Sequence, residues 1–238
     1  MSTPNQATVT NRLLSIMSAE DFSRLAPHLE ATKLPKDHVI TNPDQVIEHM
    51  FFLDSGLGSI VALSPAGDQV EAGLFGRDGV TPVEAILGSD RSINRVIIQI
   101  ADDAWRIERR ELVAAMEESA TLRGLLMRYA LTLLNQTTQT ALSNALQTVD
   151  ERLARWLLMC EDRSGSFELA LTHEFLSIML AVRRPSVTTS LHVLEGNGFI
   201  RVERGAITIK NRAALEDFAR EGYGKPEAEY RRLIGELK

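Results

Sequence analysis

Arg184, Ser186, Thr188, Thr189 and His192 stand close together in a stretch with almost no acid, directly after Arg183. A guanidinium can take guanine O6 and N7 together, and hydroxyls can reach phosphates or base edges. The N-terminal end of a helix favours a phosphate. The residue types of enzymes are missing at their working spacings. There is no Gly-x-Ser-x-Gly, no Gly-Lys-Ser/Thr phosphate loop and no zinc-spaced His/Cys cluster. The adjacent acids Asp102-Asp103 and Glu117-Glu118 mark turns or helix caps. His28, His38, His49, His173 and His192 have no spacing of a ligand pair. A single cysteine, Cys160, excludes an internal disulfide and any all-cysteine metal or iron–sulfur site within one chain. No enzyme activity and no cofactor are expected, and Cys160, beside Leu157, Leu158 and Met159, reads as a buried helix residue.

The elements that must position the arginine and hydroxyls are legible in LTHEFLSIMLAVRRPSVTTSLHVLEGNGFI, residues 171–200. Thr172 can cap a first helix whose inner face is Phe175 or Leu176, Met179 and Leu180. Ala181-Val182-Arg183 makes a tight connection, and Pro185 fits only in the first turn of a second helix. Val187, Leu191 and Leu194 give that helix its inner face, and Gly196-Asn197-Gly198 stops it. Two short helices joined by a three-residue turn form a helix-turn-helix. Downstream, Phe199–Glu203, Arg204-Gly205 and Ala206–Lys210 read as a β-hairpin. As a wing it can lie along a nucleic-acid backbone with Arg201, Arg204 and Lys210 near phosphates. Most paired amphipathic helices carry no nucleic acid, but the Arg-headed helix, Gly stop and basic hairpin together favour duplex DNA.

The rest of the chain reads as the platform for this unit. At 238 residues, 44% hydrophobic and 24% charged, it suggests two modest domains. Residues 11–31 carry helical spacing over one or two short helices. Between about 35 and 107, His38–Ile40, Met50–Leu53, Gly58–Leu63, Gln69–Leu74, Arg95–Ile100 and Ala104–Ile107 are candidate strands. Turns at Asn42-Pro43-Asp44, Asp54-Ser55-Gly56, Pro65–Asp68 and Ala101–Asp103 separate them, as in a jelly roll. Glu108–Glu118 begins a helical region, and Thr121–Gln147 predicts a long helix. Leu122, Leu126, Tyr129, Leu133, Gln136 and Thr140 form a heptad-like seam on it, expected to join a second copy; the alternative is packing on the chain's own sandwich. Thr148 and Glu151 have capping-box spacing, so a new helix begins there, runs to Cys160 and ends at Arg163-Ser164-Gly165-Ser166.

The expected fold class is α+β, with an N-terminal jelly roll and flanking helices, a long dimerisation helix and a C-terminal winged helix-turn-helix. The segments are 11–118 (sensor), 119–147 (dimerisation helix), 148–223 (DNA-binding domain) and 224–238 (C-terminal tail). Net charge is −6, yet it is uneven: residues 1–148 hold 12 Lys/Arg and 18 Asp/Glu, and 149–238 hold 14 of each. Within 169–212, six basic residues face three acids, a local +3. No run approaches the roughly 20 apolar residues of a membrane span, and Met1–Arg12 lacks a secretory signal's apolar stretch. No membrane partner and a cytoplasmic location are expected.

With these residues in view, the chain resembles the Crp/Fnr family of bacterial transcription regulators over roughly Leu13 to Tyr223, most sharply in 171–200. The resemblance implies a homodimer joined through the long helix on two-fold double-stranded DNA sites, with RNA polymerase as a further partner. By position, Arg184 falls where the family's recognition helix has its base-reading arginine. Ser186 falls where a Thr or Ser contacts backbone, and Thr172 and His173 where the first helix meets phosphate. Thr189 replaces a second arginine of catabolite-activator-like members, and Pro185 a glutamate, so the preferred half-site should differ. Ala181 stands where a turn glycine is usual.

In cyclic-nucleotide-binding members, a Gly-Glu-Leu step and a later Arg-Ser-Ala step cradle phosphate and ribose. Here the corresponding stretch Gly76–Glu84 has no Gly-Glu pair, and the later step is Arg91-Ser92-Ile93 or Arg95-Val96-Ile97. A conventional cyclic-AMP site is not expected, in which case Asp78 and Arg91 are surface loop residues. The helix break at Gln147–Asp150 is the expected hinge through which any effector would act. A signalling module that binds a small molecule or protein without reading DNA is the rival expectation. The N-terminal cysteines of iron–sulfur-sensing members are absent.

Overall fold

The computed structural model describes residues 4–164, 166 and 168–237. The chain opens with α1 (Arg12–Ile16) and α2 (Ala19–Leu25). Each begins where a side chain replaces a missing helical partner. Asn11 Oδ1 accepts from the Leu13 and Leu14 amides, and Ser18 Oγ accepts from the Asp21 amide. Seven strands follow: β1 (Glu30–Leu34), β2 (Val39–Thr41), β3 (His49–Leu53), β4 (Leu57–Leu63), β5 (Gln69–Phe75), β6 (Arg95–Ile100) and β7 (Asp102–Glu108).

They form two antiparallel sheets, in the orders β1-β7-β3 and β2-β6-β4-β5. Alternate residues turn inward as the pleat requires, so Leu53, Ile60, Phe75, Val96 and Ile98 make a shared interior, closed by Leu133 from a later helix. This is the jelly roll with its flanking helices. Two local readings change. Residues 30–34 are a strand, paired Glu30↔Arg106 to Leu34↔Asp102, and not the end of a helix; only Leu34 of the five is buried, so the strand has no apolar alternation. Asp102 and Asp103 belong to β7 and are not a turn.

Then come α3 (Arg109–Glu118), α4 (Ala120–Leu146) and α5 (Val149–Ser164). The break between α4 and α5 follows from the capping box: the Thr148 amide donates to Glu151 Oε2 (2.9 Å), and the Glu151 amide to Thr148 Oγ (3.3 Å). The helix runs one turn past Cys160; Gly165 of the expected stop lies outside the described residues. The last part contains β8 (Glu168–Leu169), α6 (His173–Met179), α7 (Arg184–Gly196), β9 (Ile200–Glu203), β10 (Ala206–Ile209), α8 (Arg212–Ala219) and α9 (Lys225–Leu233).

Two further cores hold the molecule together. One lies among α1 to α4 and β3 and takes in Tyr230 and Leu237 from the C-terminal end. The other joins Leu57, Val61 and Leu74 of the sandwich to Trp156, Leu157 and Met179 of α5 and α6. The stretch 224–238, expected to be a tail, is therefore helical over Lys225–Leu233 and packed on α4. Among the described residues, no helix is long and apolar enough to cross a membrane.

Candidate nucleic-acid interface

Thr172 Oγ accepts from the Phe175 amide at 3.2 Å and so starts α6 where its first turn would otherwise be unpaired. Leu176 and Met179 of α6 meet Val187, Leu191 and Leu194 of α7 in one apolar cluster. Arg152 of α5 donates to the Leu180 carbonyl and steadies the turn from below. Ala181 sits at φ +50°, a left-handed conformation that a glycine adopts without strain and alanine does not. Ala181→Gly is expected to leave the turn in place and raise stability by up to about 1 kcal/mol, read by thermal unfolding. A loss of stability would show that the alanine methyl contributes more than its backbone costs.

Pro185 stands in the first turn of α7, and the helix stops at Asn197 with Gly198 at φ +73°. Arg183, Arg184, Thr189 and His192 are exposed, and Ser186 and Thr188 are half-buried. Thr188 Oγ donates to the Arg184 carbonyl (3.3 Å), and Thr189 Oγ to that of Pro185 (3.1 Å). Both hydroxyl protons point back along the helix, which leaves lone pairs as the outward function. His173 Nδ1 lies 3.0 Å from Thr188 Oγ and links the two helices.

The wing pairs β9 with β10, from Ala206↔Glu203 to Ile209↔Ile200, and β8 adds a third strand that its two residues gave no signal for. Arg204 stands at the tip beside Gly205 at φ +78°. Lys210 is exposed at the far end, whereas Arg201 pairs with Glu203 at 2.7 Å. Glu195 of α7 accepts from the Val202 amide (2.8 Å) and fixes the wing to the second helix. Arg212, counted in the local basic excess, reaches Glu161, Asp162, Glu216 and Tyr223 and is a structural clamp. The outward positive groups of this unit thus come from Arg183, Arg184, Arg201, Arg204 and Lys210, with Arg201 shared with Glu203.

The expected dimer seam is corrected by burial. Leu122 and Leu126 are fully buried, Tyr129, Leu133 and Gln136 nearly so, and Thr140 half-buried, all inside the same chain. Tyr129 lies on Gly79, where a Cβ would come within 2.0 Å of the phenol. Gln136 completes the edge of β5, accepting from the Leu74 amide (2.6 Å) and donating to the Leu74 carbonyl (3.1 Å). Thr140 Oγ is 3.1 Å from Arg155 Nη2, its donor. A seam turned to the sandwich cannot also meet a partner. The opposite face of α4 exposes Met127, Leu131, Leu134, Leu142 and Leu146. Gly124, Met127, Leu131, Leu134, Thr138, Ala141 and Ala145 follow one another by three and four along it. The same periodicity is present in the sequence, offset from the Leu122–Thr140 seam.

On the sensor side, Ser92 is buried and gives its hydroxyl to Glu84 Oε1 (2.5 Å), while Arg91 is exposed and donates to the Asp44 carbonyl (2.7 Å). Asp78 is not a surface loop residue. It is 2% exposed and pairs with Arg163 Nε at 3.0 Å. Glu71, which belongs to no motif, is buried between the sheet and α5. It accepts from Ser59 Oγ (2.6 Å) and Trp156 Nε1 (2.7 Å). Burial pushes its carboxyl up to about 8, against the pull of those two donors and of Arg155 and Arg163. Cys160 is buried, and burial raises its thiol well above the ordinary range. Among the described residues no cluster of His, Cys, Asp and Glu could hold a metal ion.

The family model of the Crp-like helix-turn-helix domain matches residues 151–218. Among solved structures, FixK2 from Bradyrhizobium japonicum has a TM-score of 0.70 at 18% identity, covering 80% of this chain and 96% of its own. A CRP-family transcriptional regulator from Thermus thermophilus gives 0.66 at 20% identity, covering 79% and 96%. CLP from Xanthomonas campestris, a c-di-GMP-responsive global regulator, gives 0.63 at 17% identity, covering 81% and 99%. These likenesses establish the fold. No curated protein matched the sequence.

Proposed function

Starting from a chain whose residues 151–218 are a Crp-like helix-turn-helix domain and whose whole fold is that of Crp/Fnr regulators, we propose that it is a DNA-binding transcription regulator acting as a homodimer on a two-fold site. The observation that carries the reading is the outward face of α7. Arg184 is exposed at its N-terminus, no acid stands in its first turn, and the wing tip Arg204 is exposed beyond it. Arg184 would read a base edge, while Thr172, His173 and Ser186 with Arg183, Arg204 and Lys210 would meet phosphates. Thr189 and His192 would border the read base pairs. RNA polymerase is the further partner this role calls for.

The dimer would form through the exposed apolar face of α4, Met127–Leu131–Leu134 at its centre. Two such helices side by side would set both α7 helices for successive major grooves, with half-site centres roughly 10–10.5 bp apart. The effector is not a cyclic nucleotide held in the usual way. What supports this is that Ser92 is engaged by Glu84 and Arg91 by the Asp44 carbonyl, and that Tyr129 fills the space over Gly79.

Base reading and phosphate contact separate by substitution. Arg184→Ala is expected to cost about 1–3 kcal/mol and to relax preference at one base position. Arg204→Ala should weaken binding evenly across sequences and flatten the salt dependence by about one ion. Equal, sequence-blind losses from both would reduce Arg184 to a phosphate contact. No salt-dependent DNA binding at all would turn the reading toward a module that binds a protein or small molecule.

A further inference from the structure

The loop Gly76–Glu84, which the family resemblance equates with a nucleotide cradle, is held here by the chain itself. Asn11 Nδ2 donates to the Gly79 carbonyl (2.8 Å), and the Arg12 amide to that of Arg77 (2.6 Å). Tyr129 of α4 covers Gly79. Arg163 at the end of α5 pairs with the Asp78 carboxylate, both side chains below 5% exposed. Tyr230 of α9 donates its hydroxyl to the Asp78 carbonyl (2.6 Å). Two of these holders, Arg163 and Tyr230, stand on either side of the helix-turn-helix in sequence.

That placement ties the reader at both ends. The chain leaves α4 at Gln147, makes the whole winged helix-turn-helix, and returns along α9 to the same helix. There Arg128 Nε donates to the Leu233 carbonyl (3.1 Å), and Tyr230 and Leu237 enter the sensor's core. Between the ties, Met179 at the C-terminal end of α6 rests near Gln99 of the sheet. Thr172 at its other end and Arg184 of α7 remain exposed. The docked arrangement therefore covers the back of the reader and leaves its front open.

We propose that α9 is a strap which, together with the Asp78–Arg163 pair, fixes the DNA-binding domain to its own sensor with α7 outward, so that the protein is oriented for a two-fold site with no added ligand. The proposal rests on the DNA-reading function proposed above. A reader tied at both ends has lost its freedom before DNA arrives, so less ordering opposes binding. It also tolerates only the half-site separation that its two fixed copies span, because avidity vanishes when geometry forbids simultaneous engagement.

The test uses the full chain, its Asp78→Asn and Tyr230→Phe variants, and a duplex selected from a random pool by the unsubstituted protein. Each protein is titrated with the selected two-fold duplex, with versions whose centre is lengthened or shortened by one or two base pairs, and with a single half-site. The unsubstituted protein should lose about tenfold or more in affinity when the spacing changes. Both variants should bind the selected duplex several-fold more weakly, lose less on changing the spacing, and bind the half-site unchanged. Tyr230→Phe removes only one hydroxyl, so it decides the matter if Asp78→Asn does not fold. Identical spacing profiles in all three proteins overturn the strap. Tighter binding by the variants also overturns it, since the docked state would then be the inactive one. A random pool that yields no two-fold duplex, or a selected duplex that Arg184→Ala binds equally well, overturns the DNA reading itself.

Discussion

Leu131→Glu with Leu134→Glu is expected to convert the proposed dimer to a folded monomer. The two leucines are 43% and 61% exposed in the single chain, and neither belongs to one of its core clusters. Already about half-buried, each would contribute roughly 1–1.5 kcal/mol when covered by a second α4, and a dimer buries two copies of both. Losing even about 4 kcal/mol weakens association by roughly a thousandfold, before the repulsion of four carboxylates is added. Sedimentation should show a monomer with an unchanged circular dichroism spectrum and a melting point that is lower only by the lost association and no longer depends on protein concentration, and binding to a two-fold duplex should fall to that of a half-site. Leu126→Glu makes the contrast: it places a charge in the sensor's core and should unfold the protein. A double variant that still sediments as a dimer would remove α4 from the interface.

Glu71→Gln is expected to raise stability and remove a pH dependence. The folded carboxyl titrates near 8, above its ordinary 4.5, so the native state keeps a proton that the unfolded chain releases. Stability is then greatest below about 4.5 as far as this group is concerned, falls as pH rises from there to about 8, and levels off above. Glutamine needs no proton. Its carbonyl can accept from Trp156 Nε1 and its amide can donate to Ser59 Oγ, so the contact between β5 and α5 stays satisfied. At pH 8 the gain should be on the order of 4 kcal/mol, or a melting point higher by about 10 °C, shrinking toward zero near pH 4.5. Parallel stability profiles between pH 5 and 8 would mean that Glu71 is ionised in the folded protein.

How far the sequence could be read depended on whether an element announces its own ends. The helix-turn-helix did: Thr172, Pro185, Gly198 and Gly205 are stop and start residues with local physical causes, and the structure puts the caps and the hairpin turn at those residues. The capping box at Thr148 likewise located the break before α5. Three features had no such signal. In β1 only Leu34 turns to the core, so its five residues show no strand period. Along α4 apolar residues occupy both faces, and a heptad can be drawn through either; which one meets the sandwich depends on Tyr129 fitting over Gly79 and Gln136 on the edge of β5, contacts across 50 and 62 residues. The strap was hidden for the same reason, since Asp78, Arg163 and Tyr230 are far apart in sequence and each is ordinary by itself.

The most direct test of the account is a selection of random duplex DNA by the purified protein, run with and without cyclic AMP. A two-fold motif is expected in the absence of the nucleotide, with half-sites about one helical turn apart and the same motif when it is present. A motif that emerges only with cyclic AMP would contradict the self-held sensor, and no motif under either condition would contradict the reading of α7 as a DNA-recognition helix.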